Sequence, residues 1–349
     1  MRAVVVLTQQ HASVRSEFLA LVEASNYKVV FVCWVSLKKI DAAYYIGRGF
    51  VDYLKSLAAD LKPDVLLLDV ALSARHTRNI QKHTCVDVHD RTELILHIFE
   101  RRAVSFEGKL QVELAQLNYM ATKLVRGWTH LERQRGGIGL RGGPGETQIE
   151  VDRRLLRERI RKVKQKISSL SNTRQLNRQH RQRKNVFNIA IVGYTNAGKS
   201  SLFNLMTHQH VQADNQLFVT LDAKTRTLRS DQLGSITLSD TVGFIDDLPK
   251  PLLEAFASTL EEIKHADLLL HVVDGADQQR SEKIRVVDAM LAQLGADNVP
   301  TFLVYNKIDL VDHEVVTLVN EYAISVTQAS GVDKLTYDIL AMARDRFAS

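Results

Sequence analysis

Short apolar runs alternate with amphipathic segments through the first quarter of the chain. Residues 3–7, 27–35 and 64–69 contain short apolar runs, the first two rich in valine, which indicates strands. Residues 13–24 and 49–61 instead place apolar side chains at helical intervals. Continuous apolar strands joined by helices are typical of a small parallel sheet covered on both faces. We therefore expect an α/β subdomain over about residues 1–90, without the glycine-rich first turn of a nucleotide site.

The apolar spacing becomes helical from residue 90 to about residue 134. Six glycines and one proline then fall within residues 135–145, a composition that excludes a helix. A second helix is predicted from Glu146 to about Ser169, and residues 171–185 have the composition of a linker or a frayed helix end. The pattern predicts a helical hairpin over about residues 91–185, with two antiparallel helices and a glycine-rich loop at their tip.

The second of these helices is strongly basic. Residues 152–184 contain 13 Lys and Arg residues against two acidic ones, Asp152 and Glu158. Such a face either binds phosphates or is simply solvated, and the sequence leaves both readings open. The thin apolar stripe expected to attach the helix to its domain consists of Leu155, Ile160, Val163 and Ile167.

A second alternation of strands and helices begins at residue 186 and continues to the end of the chain. Strands are predicted at residues 186–192, 267–274, 301–306 and 322–326, a hairpin at residues 225–228 and 235–240, and helices at residues 251–265, 282–294 and 333–347. The predicted fold class is α/β, with an N-terminal domain of residues 1–185 and a second domain of residues 186–349 built on a mostly parallel sheet.

The composition is that of a soluble globular protein, with 45% hydrophobic and 25% charged residues. The two cysteines, Cys33 and Cys85, form neither a metal-binding spacing nor a disulfide framework. No apolar run approaches the roughly 20 residues of a transmembrane helix, and the first residues lack a signal-peptide pattern. We expect a cytoplasmic monomer without a membrane span.

Residues 193–200 read G-x-x-x-x-G-K-S between a predicted strand and a helix, which is the context of a phosphate-binding loop. The backbone N–H groups of such a loop bind phosphates, Lys199 reaches the outer phosphates, and Ser200 ligates magnesium. A glycine turn without a ligand is the alternative, and the flanking strand and helix argue against it. The predicted nucleotide-binding residues here are Gly193, Tyr194, Thr195, Asn196, Ala197, Gly198, Lys199, Ser200 and Ser201.

Residues 306–309 read N-K-x-D at the end of a predicted strand, a pattern that selects guanine. The carboxylate of Asp309 can accept hydrogen bonds from the ring N–H and the exocyclic amine of guanine, and a wrong base would leave it unpaired. GTP and GDP are therefore the expected nucleotides. The predicted base-binding residues are Asn306, Lys307 and Asp309, with a weaker motif at Ser325 and Val326.

Residues 240–243 read D-x-x-G at the end of another predicted strand, as expected for a sensor of the γ-phosphate. Asp240 would hold magnesium through water, and loss of the γ-phosphate from the Gly243 N–H would release the loop that follows. Thr220 is the candidate for a second magnesium hydroxyl, although Thr225 and Thr227 are nearby alternatives. The predicted metal ligands are thus Ser200, Thr220 and Asp240, and the predicted contacts from the two switch segments are Phe218, Val219, Thr220, Leu221, Asp240, Thr241, Val242 and Gly243.

Catalysis is assigned to Lys199, Asn196 and Gly243, and the expected reaction is hydrolysis of GTP to GDP and phosphate. Phe244 follows the glycine where Ras-like enzymes have a glutamine, and a phenyl ring cannot hydrogen-bond the attacking water. The loop resembles those of cation-dependent GTPases, in which the side chain at the position of Asn196 holds potassium. Potassium is therefore a candidate cation beside magnesium, and capping of the loop is the alternative role of Asn196.

The chain resembles the HflX family of GTPases over essentially its whole length. The resemblance rests on G-G-P-G-E-T-Q-I-E-V-D-R-R at residues 142–154, Y-I-G-R-G at 45–49, D-R-T at 90–92, and residues 218–222 followed by 240–244. It implies an N-terminal HflX domain before the GTPase domain, and binding to the large ribosomal subunit including its RNA. It also implies dissociation of stalled or idle ribosomes. We assign Glu146, Asp152 and the basic helix to docking rather than to catalysis.

Two other functions stay open at this point. A GTP-regulated RNA-binding, assembly or storage factor would use the same nucleotide residues without separating ribosomal subunits. An RNA-dependent ATPase using the N-terminal half is disfavoured, because the chain has no second phosphate-binding loop.

Overall fold

The computed structural model describes residues 1–8, 12–37, 39–127, 148–183, 186–207, 218, 224–230, 234–245, 249–311 and 317–348. The chain divides into two compact units, Met1–Arg101 with Lys109–Ile167, and Arg102–Gly108 with Ser168–Ser349. None of the helices in these described ranges is long and apolar enough to cross a membrane.

The first part of the chain forms a four-stranded sheet and six helices within the ranges that the structure describes. In chain order they are β1 (Arg2–Leu7), α1 (Ala12–Ala24), β2 (Lys28–Trp34), α2 (Arg48–Leu61), β3 (Val65–Leu68), α3 (Ala74–Thr84), β4 (Asp87–His89), α4 (Arg91–Arg102), α5 (Phe106–Gly127) and α6 (Gln148–Arg183). The sheet order is β2-β1-β3-β4, and every pairing is parallel. Residues 3–6 of β1 and all of β3 are buried, so both faces of the sheet are covered at its two central strands.

The hydrophobic pattern does not predict α3 and β4. Along α3 only Ile80 and Thr84 are buried, so the sequence shows no apolar stripe there. Ser73 starts the helix instead, because its hydroxyl accepts a hydrogen bond from the backbone N–H of His76 at 3.3 Å. β4 is only three residues long, too short for a recognisable alternation.

The basic helix α6 runs without a break to Arg183, so of the two alternatives for residues 171–185 the structure favours a helix end over a linker for residues 171–183. That stretch contains no glycine or proline and is rich in Arg and Gln, which favour helix. Val163 is buried, whereas Leu155 is 56% exposed and does not belong to the attaching stripe. The glycine-rich residues 135–145 lie outside the described ranges, and the antiparallel hairpin stays a prediction.

The second part of the chain forms a six-stranded sheet flanked by helices. Its elements are β5 (Phe187–Val192), α7 (Lys199–Thr207), β6 (Lys224–Ser230), β7 (Gly234–Asp240), α8 (Lys250–Lys264), β8 (Leu268–Asp274), α9 (Arg280–Leu294), β9 (Thr301–Asn306), β10 (Glu321–Ala323) and α10 (Val332–Ala348). The order is β10-β9-β8-β5-β7-β6, and only the β6–β7 hairpin is antiparallel. This confirms the α/β fold class and the mostly parallel sheet.

The position of β5 explains where the motifs meet. β5 lies between β7 and β8, and its residues Ile191 and Val192 are fully buried. The chain leaves β5 towards β7 on one side and later returns to β8 on the other, which opens a crevice at the carboxyl ends of these strands. The three sequence motifs that follow β5, β7 and β9 are all placed at this edge.

Candidate functional site

The loop after β5 adopts a backbone that requires glycine at two positions. Gly193 has φ 146°, and a Cβ there would lie 2.2 Å from the carbonyl oxygen of Val272. Gly198 has φ 95°, and a Cβ there would lie 2.1 Å from Nδ2 of Asn306. Asn196 also has positive φ, at 62°, and its side chain is exposed. The glycines therefore allow a close backbone approach, and the asparagine projects from the loop.

The loop is paired with the segment that follows the D-x-x-G motif. The N–H of Thr195 donates to the carbonyl oxygen of Phe244 at 2.8 Å, and the N–H of Phe244 donates to that of Gly193 at 3.1 Å. The Phe244 side chain is 1% exposed, so the ring is part of the core. A Cβ on Gly243 would lie 3.0 Å from Nζ of Lys199. The glycine thus sits directly beside the loop lysine.

Lys199 begins α7 and is buried beneath the loop. Its Nζ donates to the carbonyl oxygen of Tyr194 at 2.7 Å. Burial lowers the pKa of Lys199 to about 8, and the negative charge of Asp240 opposes that shift. A buried ammonium group at this position is matched to an anionic ligand, because a phosphate would compensate the cost of its desolvation.

Ser200 and Asp240 supply a pair of oxygen donors. The Ser200 hydroxyl donates to Oδ2 of Asp240 at 2.7 Å, and Asp240 is 1% exposed at the end of β7. Hydroxyl and carboxylate oxygens fit Mg²⁺, which prefers oxygen ligands. Thr220, Val219 and Leu221 lie outside the described residues, so the second hydroxyl ligand stays a prediction. Phe218 is described and buried.

The alternatives to Thr220 both lie on the strand β6. Thr225 forms a hydrogen bond between its Oγ1 and Oγ of Ser239 at 2.9 Å, across the hairpin. Thr225 is also paired with Ser239, and Thr227 with Thr237, in the strand register. These pairings give both threonines a place in the sheet.

Asn306 links the guanine motif to the phosphate loop. Its Nδ2 donates to the carbonyl oxygen of Ala197 at 3.0 Å, and its Oδ1 accepts from the N–H of Val326 at 3.2 Å. Asn306 is 3% exposed. One buried amide therefore holds together three segments that are far apart in the sequence.

Asp309 is exposed but held in place by the loop after β10. Oδ1 of Asp309 accepts a hydrogen bond from the Ser325 hydroxyl at 2.5 Å, and that hydroxyl also contacts Oγ1 of Thr327 at 2.9 Å. The hydrogen bond from Ser325 lowers the pKa of Asp309. The carboxylate therefore stays ionised, as an acceptor for two N–H groups must be.

Two residues near these motifs are missed by the sequence analysis. Asp274, at the end of β8, accepts a hydrogen bond from Nζ of Lys307 at 2.6 Å. It could have been predicted from the sequence, because ligand sites lie at the carboxyl ends of parallel strands. His271 is 2% exposed within β8 and pairs with Val192. Burial and the nearby charge of Lys199 lower the pKa of His271 to about 4, so it is neutral beneath the loop. A single polar residue in an apolar strand was the available signal.

The structure thus brings the predicted residues of the phosphate loop, D-x-x-G and N-K-x-D motifs to one edge of one sheet. Thr241, which follows Asp240, is fully buried, and its hydroxyl donates to the carbonyl oxygen of Ile191 at 2.7 Å. Ser325 and Val326 also belong to this site, but they follow β10, which ends at Ala323, earlier than the predicted strand. The site therefore contains a loop of backbone N–H groups, the buried ammonium group of Lys199, two oxygen ligands for a metal from Ser200 and Asp240, and the carboxylate of Asp309 as a hydrogen-bond acceptor.

Family models match three consecutive parts of the chain. Residues 13–100 match "GTP-binding GTPase N-terminal", residues 102–181 match "GTP-binding GTPase Middle Region", and residues 188–307 match "50S ribosome-binding GTPase". The chain therefore carries a GTPase domain that includes all the strands from β5 to β9.

Solved structures with the same fold include GTP-binding proteins in complex with GDP. One, from the hyperthermophilic archaeon Sulfolobus solfataricus, is 24% identical with a TM-score of 0.52 and covers 98% of this chain and 99% of its own. A second, the complex of SsGBP with GDP, is 25% identical with a TM-score of 0.55 and covers 97% and 98%. These similarities show that the chain has the same fold as these two GTP-binding proteins.

Curated relatives are more similar. A protein of Escherichia coli strain K12 named GTPase HflX is 47% identical over 296 residues, which are 85% of this chain and 69% of that protein. One of the same name from Magnetococcus marinus is 50% identical over 278 residues, 80% of this chain but 64% of the relative, less than two thirds of its length. Another from Caldanaerobacter subterraneus is 44% identical over 92% of this chain and 74% of its own. The conclusion from these matches is that the chain belongs to the HflX family of GTPases.

Proposed function

We propose that this protein is a cytoplasmic, monomeric factor that binds and hydrolyses GTP on the large ribosomal subunit and dissociates stalled or idle ribosomes. The proposal of GTP binding depends mainly on one observation. The side chain of Asn306 forms two hydrogen bonds, one with Ala197 in the phosphate loop and one with Val326 after β10. The ribosomal part is supported by the family model "50S ribosome-binding GTPase" over residues 188–307.

The phosphates and the base of GTP, and the magnesium ion, would each meet suitable groups in this site. The N–H groups of residues 193–198 and Lys199 would hold the phosphates, and Asp309 would read the guanine edge. Ser200 and Asp240 would hold Mg²⁺, with Thr220 as the proposed third ligand. When bound, the ion would supply positive charge that offsets the negative charge of the phosphates as the γ-phosphoryl group is transferred to water. Gly243 lies beside Lys199, where its N–H would sense the γ-phosphate.

The residue that follows the D-x-x-G motif cannot orient the water molecule that attacks the γ-phosphate. Phe244 is buried, and its backbone is hydrogen-bonded to the phosphate loop at Gly193 and Thr195. A buried phenyl ring cannot orient a nucleophile, so the isolated protein should turn over slowly. A factor that hydrolyses GTP slowly alone and faster on its target fits this arrangement.

The basic helix α6 supports binding to ribosomal RNA. Between Asp152 and Ile167 its exposed cationic side chains are Arg154, Arg157, Arg159, Arg161, Lys162, Lys164 and Lys166. Arg159 donates to Glu113 of α5 at 2.7 Å, which orients one of them. Clustered exposed cations attract phosphates independently of base sequence and in a salt-dependent way. The glycine-rich residues 135–145 lie outside the described ranges. We propose that they enter a pocket of the ribosomal RNA while α6 binds its phosphates.

Sedimentation of intact ribosomes incubated with the protein tests the proposal. We expect GTP, but not GDP, to raise the fraction of free subunits, and the Lys199→Ala variant to lose the effect. Binding to the large subunit with no increase in free subunits would favour the assembly or storage factor instead. Absence of the protein from the large-subunit fraction in every nucleotide state would contradict the ribosomal part.

A further inference from the structure

Two histidines and a glutamate meet in the first unit, away from the nucleotide motifs. His89 ends β4, and Glu93 and His97 lie four residues apart on α4, on the same face of the helix. One potential ligand atom from each of the three lies within 4.8 Å of the other two. Among the residues that the structure describes, this is the one group of three or more His, Cys, Asp or Glu side chains with such a spacing.

Tyr27 holds the two imidazoles in place. Its hydroxyl is 3.3 Å from Nδ1 of His89 and 3.3 Å from Nδ1 of His97. Nε2 of His89 is turned the other way, 3.8 Å from Oε1 of Glu93. Tyr27 would therefore fix the His89 ring through Nδ1, as groups around a metal site orient a ligating histidine, and Nε2 would be left to bind an ion together with Glu93.

The cluster is half-buried and open on one side. The side chains of His89 and Glu93 are 16% and 29% exposed. Both line an open pocket that is also bordered by Tyr119 and Lys123. Ligands from the protein would thus occupy one side of an ion, while water could reach it from the pocket.

The charges around the cluster favour a cation. Asp90 lies next to Glu93, because its Oδ1 accepts a hydrogen bond from the Glu93 N–H at 2.9 Å, and Asp87 lines the same pocket as Glu93. Nζ of Lys123, which borders the same pocket, is 3.0 Å from Oδ2 of Asp90 and also donates to the carbonyl oxygen of Leu72. That ammonium group is occupied with Asp90, so a divalent ion beside Glu93 would balance carboxylate charge.

We propose that His89, Glu93 and His97 bind a zinc ion, with a water molecule from the pocket completing a tetrahedral site. Two imidazoles and one carboxylate form a donor set that zinc takes in proteins. The ion would join β4 to α4, and it would stabilise the first unit because the unfolded chain lacks the preformed site.

Zinc titration of the full chain, stripped of metal and with Mg²⁺ and GDP present to fill the nucleotide site, tests the proposal. We expect one zinc ion per chain, and a melting temperature that rises on zinc addition. Glu93→Gln and His97→Ala should each raise the zinc Kd by roughly 100-fold or more, beyond the range typical of groups that only orient a ligand. Neither variant should melt at a higher temperature in zinc.

His83→Ala is the matched control, because His83 lies in the same unit and pairs with Asp52 at 2.6 Å, outside the cluster. It should bind zinc like the parent. X-ray absorption of the zinc-loaded parent should show two imidazole ligands with oxygen ligands, a result that does not depend on any variant folding. Zinc affinity that is unchanged in Glu93→Gln, or a spectrum without imidazole, would overturn the site.

Discussion

The side-chain amide of Asn306 donates a hydrogen bond to the carbonyl oxygen of Ala197, and the two atoms are 3.0 Å apart. Both residues are almost fully buried. The same amide accepts from the N–H of Val326 at 3.2 Å. A residue of the N-K-x-D motif therefore supports the loop at residues 193–198, so we expect base recognition and phosphate binding to depend on each other.

Replacing Asn306 by alanine should weaken both stability and nucleotide binding. The variant leaves the carbonyl of Ala197 and the N–H of Val326 without their partner, which costs about 1–3 kcal/mol of unfolding free energy. Urea denaturation and titration with a fluorescent GDP analogue measure the two effects. Asn298→Ala, at an exposed position after α9, should change stability by no more than about 0.5 kcal/mol. Equal GDP affinity in Asn306→Ala and the parent would contradict the connection.

Asp309→Asn should change the preferred base from guanine to xanthine. The amide replaces an acceptor with a donor opposite the guanine N–H groups, which costs about 2–4 kcal/mol of GTP binding. Competition between GDP and xanthosine diphosphate measures the change. Asp297→Asn, an exposed control in the same unit, should keep the preference for guanine. If Asp309→Asn binds GDP as tightly as the parent, Asp309 does not read the base.

Stability of the nucleotide-free protein should rise with pH above about 8. Burial lowers the pKa of Lys199 to about 8, so between that value and its ordinary value the unfolded chain binds more protons than the folded one. Deprotonation therefore favours the folded state, by about 1 kcal/mol between pH 7 and pH 9. Urea denaturation at both pH values measures this gain, and Lys199→Met should lack it. A parent and a variant with the same pH dependence would show that Lys199 keeps its ordinary pKa.

Potassium should accelerate GTP hydrolysis through Asn196. The residue projects from the phosphate loop with φ 62° and an exposed side chain, and the buried Phe244 supplies no alternative activating group. A cation held there would add positive charge near the breaking bond, and its loss in Asn196→Ala should cost roughly tenfold or more in rate. Hydrolysis is compared in potassium and in sodium, with and without ribosomes. Equal rates in the two salts would leave Asn196 as a cap of the loop.

Charge reversal on α6 should weaken ribosome binding and its dependence on salt. Arg157 and Lys164 are exposed, whereas Arg153 is partly buried and is better left unchanged. Arg157→Glu with Lys164→Glu should lower the slope of log affinity against log salt by about one unit for each lost phosphate contact. Lys334→Glu with Arg344→Glu, on exposed positions of α10, is the matched control. Unchanged affinity and slope in the α6 variant would place the docking surface elsewhere.

The sequence predicted an element correctly where neighbouring residues define it, and it failed where few buried residues or distant contacts define it. The two α/β patterns and the phosphate loop were readable because each depends on a few neighbouring residues with a fixed spacing. α3 was not readable, because Ser73 and two buried side chains define it rather than an apolar stripe. The predicted apolar stripe on α6 wrongly included Leu155. A spacing of eight residues from Val163 falls within a broad apolar face, but it cannot say where packing stops.

By itself the sequence determined the chemistry of the nucleotide site, because the loop glycines, Lys199, Asp240 and Asp309 belong to short motifs that act locally. Only the tertiary structure decided which of these residues support one another. The hydrogen bond from Asn306 to Ala197 spans a sequence separation of 109 residues, and it exists because β9 and β5 are parallel strands of one sheet whose carboxyl ends meet. Tyr27 precedes β2, His89 ends β4 and His97 lies on α4, so their meeting also depends on the tertiary structure, which no local pattern encodes.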